Sequence, residues 1–187
     1  MAQTAVDCCN SALQRVGAAT ITSLTDNSPE ARACSVAYDS NRRDELRKHS
    51  WNFAITRVVL APDATAPAFD FKYQFTLPSD CLRVLRPADY DLDWKIEGRK
   101  ILTNNSSTLY LRYISDITDP TQWDSSFYNV VAGALAIDIC ERLTQSNTKK
   151  QLIIQQYNDD VRTARRMNAF ESGPEDAADD LWWIARL

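Results

Sequence analysis

A chain of 187 residues can bury one substantial core, or a helical core carrying a smaller insert, and is too short for two average domains. Its 21 basic and 25 acidic residues, with an isoelectric point near 5.0, exclude a broad cationic surface that wraps nucleic acid, while DNA passing at a distance stays compatible with them. Residues 1–10 hold no basic leader, and the longest apolar run, Val130–Ile137, is far shorter than the ~20 residues that span a bilayer, so a soluble, unexported protein is expected.

Helix one is predicted over about Thr4 to Val16, because Ala5, Val6, Cys9, Ala12, Leu13 and Val16 share one face and Gly17 follows as a C-terminal cap. Ser28 before Pro29 marks the next start, with a hydroxyl able to cap and a proline where no amide is missed. Helix two then runs to about His49 on a narrow seam of Ala31, Cys34, Tyr38, Arg42 and Leu46, its remaining surface densely charged. From Asn52 the apolar period drops toward two. Trp51 stands at this joint, where a large ring can pack on both elements and fix their angle.

Candidate strands are 52–60, 69–77, 82–86, 92–97, 100–103 and 108–114, separated by turn chemistry such as Glu97-Gly98 and Asn104-Asn105-Ser106. Alternation is clearest in Phe69, Phe71, Tyr73, Phe75 and Leu77. Strands this short read as an insert resting on the helices. Asp124 or Ser125 starts a third helix to about Leu143, apolar most of the way round, on which Asp138 would need Arg142 as a partner. Ser146 or Asn147 caps a fourth, to about Glu171, with Ile153, Ile154, Tyr157, Val161 and Ala164 along one face. The short link makes helices three and four antiparallel neighbours. The final stretch sets Glu171, Glu175, Asp176, Asp179 and Asp180, with no basic residue among them, before Leu181, Trp182, Trp183, Ile184 and Leu187.

Signals for catalysis are weak. Five cysteines at irregular spacing with no C-x-x-C suggest reduced thiols, neither a disulfide framework nor a zinc knuckle. Only four glycines occur, and none forms a phosphate loop. His49, the sole histidine, reads as a helix C-terminal residue favoured by the dipole, and a thiol triad of Cys34 with His49 exists on paper only. The carboxylates of 171–180 read as a solvated segment before a metal or general-acid cluster. Arg42, Arg43 and Arg47, and the arginines of helix four, alternate with acids, which suits intersubunit or intrahelical pairing more than a phosphate track. No cofactor and no metal are expected.

Several stretches, taken together and in order, resemble the tail tubular protein A family of podovirus-like phages, the head-to-tail adaptors. They are NSALQRVGAATITSLTD from Asn10, RDELRKHSWNFA from Arg43, YQFTLPSDCLRVL from Tyr73, IEGRKILTN from Ile96, LRYISDITDP from Leu111, the helix from Phe127, and Tyr157 to Ala169. No one motif is specific; the ordered set, covering nearly the whole chain, carries the resemblance. It implies a non-enzymatic ring, usually a dodecamer, in the neck of the virion. Such a ring sits beneath the portal protein, receives the tail nozzle on its other side, and lets double-stranded DNA through its bore.

The expectation is therefore an α+β, mainly α protein: a four-helix bundle (1–51 and 116–172), an inserted small antiparallel β region (52–115) and an extended C-terminal docking tail (173–187). Leu181, Trp182, Trp183, Ile184 and Leu187 are the expected portal-docking residues, and Arg42, Arg43 and Arg47 the expected intersubunit ones. A cell-wall hydrolase working through Asp176, Asp179 and Asp180, or a tail-completion stopper that meets tail protein but not portal, are the alternatives.

Overall fold

The computed structural model describes residues 3–87, 92–105 and 108–172. Among the described residues four α-helices occur: α1 (Ala5–Val16), α2 (Pro29–Lys48), α3 (Ser125–Thr144) and α4 (Asn147–Phe170). Their starts are set locally. Thr4 and Asp7 form a reciprocal capping box on α1, Ser28 accepts from the Ala31 amide at 3.1 Å on α2, and Asp124 and Ser146 cap α3 and α4. Gly17 closes α1 in the left-handed region at φ 77°, where its amide reaches the Leu13 carbonyl at 2.8 Å.

These helices are not a four-helix bundle, which corrects the expectation. A bundle needs one apolar stripe per helix, all facing a shared centre. Here α3 is itself the centre: Phe127, Val130, Val131, Leu135, Ile139 and Cys140 are buried on several of its faces, and α1, α2 and α4 each pack on it while touching one another far less. The fourth helix could not complete a bundle, because of its 24 residues only Ile153 and Ala164 are buried. Gly133 permits one crossing over α3. A Cβ there would sit 2.9 Å from Arg15 Nη1 and 3.4 Å from Tyr157 Cβ, and through this gap Arg15 on α1 reaches Asp160 on α4 at 2.6 Å.

The β part is also more than one small sheet. Strands β1 (Ile55–Leu60), β2 (Tyr73–Thr76), β3 (Cys81–Val84), β4 (Trp94–Glu97), β5 (Lys100–Thr103) and β6 (Leu109–Ser115) make two three-stranded antiparallel sheets, ordered β1-β6-β3 and β2-β5-β4. Phe75, Leu77, Cys81, Ile101, Leu109, Leu111 and Tyr113 form a separate apolar core between them. The opposite face of the first sheet joins the helical core through Ile55, Leu82 and Ile114. The fold is thus α+β, a helix-centred core beside a layered pair of sheets.

Two strand expectations shrink. Residues 52–54 make a 3-10 turn, and the predicted strand 69–77 begins only at Tyr73. Asp70 sits in the left-handed region at φ 68°, which breaks an extended run, and Phe69 is left 78% exposed. Asp138 is exposed and accepts from Asn41 Nδ2 at 2.9 Å, so it does not depend on Arg142.

Candidate interaction surface

Trp51 holds two elements together, but they are the helices α2 and α3 and not the helix and strand that its place in the sequence suggests. It is 2% exposed, its indole N–H donates to the Glu45 carbonyl of α2 at 2.9 Å, and its ring meets Phe127 of α3 edge-on at 5.0 Å between centroids. Phe53 and Trp123 approach the same Phe127 at 5.0 and 5.4 Å. The joint between helical and β parts is thus an aromatic cluster around one ring on the central helix.

The arginines of α2 have unequal surroundings. Arg42 is 3% exposed; its guanidinium pairs with Asp116 and donates to the Ile117 carbonyl at 3.0 Å, both just beyond β6. Its charge is met inside the chain, with no neighbouring copy required. Arg43 reaches the other oxygen of Asp116 at 3.2 Å from a half-exposed position, and Arg47 donates to the Leu82 carbonyl of β3. All three therefore tie α2 to the β part. Asp116 is the partner that sequence reading missed; it lies in the turn after β6, 74 residues from Arg42, where no helical spacing could signal it.

Glu45 is a second missed residue. It is buried at α2's polar seam, accepts from Tyr157 Oη at 2.8 Å and pairs with Lys48 at 2.7 Å, so it links α2 to α4. Its place three residues after Arg42 on the same face was the available signal. Burial, reinforced by the Glu45 carboxylate, pushes the Tyr157 phenol up to about 12, and burial with the bond to Asp80 does the same for Tyr113. Burial also pushes the Cys8 thiol up to about 12. Each group has a folded value above its ordinary one, so its stabilising contribution is complete below about pH 9 to 10 and is lost as pH climbs through 12. The melting temperature is therefore expected to fall steadily from about pH 9 to 12, and less steeply in Tyr157→Phe. A melting temperature level across that range would contradict the assignment.

His49 is the C-terminal cap of α2, as its place at the helix end suggested. Burial, then the charges of Arg165 and Arg83, hold its imidazole below its ordinary value. It does not meet Cys34: fifteen residues of helix separate them, roughly 22 Å at the α-helical rise. Cys34 faces Cys9 instead, and that hydrogen bond together with burial raises the Cys9 thiol. Among the described residues no group of three or more His, Cys, Asp and Glu side chains is placed to hold a metal ion, and no helix is long and apolar enough to cross a membrane.

Among the described residues, apolar side chains lie open singly at Val36, Phe69 and Ile96 and in groups on two surfaces. On α4, Leu152, Met167 and Phe170 are 61%, 45% and 77% exposed. On the first sheet Val59 and Tyr110, directly paired across β1 and β6, are exposed as well. The portal-docking candidates Leu181, Trp182, Trp183, Ile184 and Leu187, and the carboxylates Asp176, Asp179 and Asp180, lie outside the described residues. Compared with models of known protein families and with curated proteins, the chain matches none of either.

Proposed function

We propose that the chain is a phage head-to-tail adaptor, one subunit of a ring, of about twelve copies in the family it resembles, set between portal protein and tail nozzle with DNA passing through. The observation that carries this reading is α4: a 24-residue helix that buries only Ile153 and Ala164 while Leu152, Met167 and Phe170 stand in solvent. Helices draw most of their stability from tertiary packing of an apolar face, so a surface like this favours cover by another copy. The ordered stretches from Asn10 to Ala169 supply the particular role. In the same reading the segment Leu181–Leu187 meets the portal once the ring is in place, and Arg43 and Arg47, both exposed, are the arginines of the expected set open to a subunit boundary. The function is geometric and adhesive, in the neck of the virion.

The test is assembly on purified portals, followed by negative-stain imaging. Leu152→Glu with Met167→Glu alters exposed positions only, so the monomer should keep its melting temperature within a few degrees while rings fail to form. Normal rings from this variant, or no binding of the wild-type chain to portals, would overturn the reading.

A further inference from the structure

The face of the β1-β6-β3 sheet that meets the helices at Ile55 and Ile114 continues into a groove that is electrically unbalanced. Between the end of α4 and the sheet lies a cavity of about 610 Å³, whose walls include His49, Asn52, Arg112, Arg165 and Ser172 and, among the described residues, no Asp or Glu. Arg112 is also a wall of a second hollow, about 580 Å³, with Arg57, Val59 and Tyr110. The two hollows therefore meet at Arg112.

Among the described residues, Arg57, Arg83, Arg112 and Arg165 make no ion pair. The Nε atoms of Arg83 and Arg112 are buried without a hydrogen-bond partner, which is costly for a charged group. Arg57 stands directly opposite Arg112 across β1 and β6, and like charges so placed repel. A carboxylate bound between Arg57 and Arg112 would relieve that repulsion, since a guanidinium presents its donors in a fork that fits it. Past Arg112 the character changes to apolar: Val59 is 57% and Tyr110 62% exposed.

The chain carries a segment of matching chemistry that begins at the groove. Ser172 lines it, with Oγ 3.1 Å from Asn52 Nδ2. Next in sequence come Glu175, Asp176, Asp179 and Asp180, then Leu181, Trp182 and Trp183, with no Lys or Arg before Arg186. The order is acidic then aromatic, and the surface order is cationic then apolar. At ~3.3 to 3.6 Å per extended residue, Glu175 lies within roughly 10 Å of Ser172 and Trp183 within roughly 40 Å, enough to follow both hollows. A DNA phosphate would also suit the arginines. It would leave Val59 and Tyr110 unused, and it would meet a protein of net charge −4.

We propose that, in the free protein, this surface seats the chain's own segment Glu175–Trp183, its carboxylates on Arg165, Arg112 and Arg57 and its tryptophans on Val59 and Tyr110. The seat keeps an aromatic segment covered, and it requires nothing of the ring reading above.

The sole histidine, His49, reports on the groove by NMR titration, where Arg83, Arg112 and Arg165 are the charges around it. Carboxylates beside it favour the imidazolium. The imidazole should therefore titrate at higher pH in the full chain than in E175Q/D176N/D179N/D180N. The difference in tryptophan emission between the full chain and a chain ending at Ser172 should be that of shielded indoles, shifting to hydrated ones in Arg57→Gln with Arg165→Gln. Both of those arginines are exposed, so that variant keeps its fold. Identical His49 titrations, or hydrated tail tryptophans in the full chain, would overturn the proposal. So would effects that appear only as protein concentration rises, which would place the segment on a second copy. A short DNA duplex that bound the full chain and moved His49 more than the acidic segment does would assign the groove to phosphate instead.

Discussion

Arg42→Ala is expected to destabilise the chain by about 3 to 5 kcal/mol, the range for breaking a buried ion pair by removing one partner. Arg42 is 3% exposed and Asp116 is 18% exposed at its side chain, so the substitution leaves a largely desolvated carboxylate with only the half-exposed Arg43 beside it, while the Ile117 carbonyl keeps the Trp123 indole N–H at 3.1 Å. It also opens a gap on the α2 seam between Tyr38 and Leu46. Arg43→Ala removes only the half-exposed second arm on Asp116, where solvent screening keeps the loss within about 1 kcal/mol. Urea denaturation of the two variants side by side measures the contrast. Equal midpoints would mean that Asp116 is held by Arg43 alone. For the same reason, charge reversal at Arg42 cannot report on ring formation: the monomer would unfold first, whereas Arg43 is open to that test.

Phe127→Ala should have a comparable effect through a different cause. The ring is fully buried and is the shared neighbour of Trp51, Phe53 and Trp123, with centroids 5.0 to 5.4 Å away. Truncation would leave a cavity that three rigid aromatic rings, fixed to different elements, cannot collapse into together. Phe→Ala changes in such cores cost about 3 to 5 kcal/mol, or roughly 6 to 20 °C in melting temperature for a chain of this size. Near-ultraviolet circular dichroism should lose intensity along with stability, because Trp51 and Trp123 lose their packing partner. Phe127→Leu, which keeps most of the volume, should recover the greater part. A melting temperature that falls by only a degree or two in Phe127→Ala would show that the joint rests on other contacts.

Sequence alone determined what depends on neighbours a few residues away. The helix starts at Ser28-Pro29, Asp124 and Ser146, the stop at Gly17 and the turn at Gly98 each need only a side chain or a permissive backbone within one turn, so they were legible without the fold. The place of Trp51 at a joint was legible for the same reason, since it sits where one periodicity ends and the other begins, but its partner Phe127, on α3, was not. The tertiary structure decided everything that pairs distant residues. It placed β6 between β1 and β3, divided six short strands into two sheets, and made α3 a hub in place of one wall of a bundle. An all-round apolar helix is compatible with either arrangement, and only the shortage of buried residues on α4 excludes the bundle. It also turned Arg42 inward to Asp116 and set Arg112 against Arg57. A charge run gives its spacing along one helix but not what faces it, because an ion pair across 74 residues leaves no period in the sequence and forms only when the chain has closed around it.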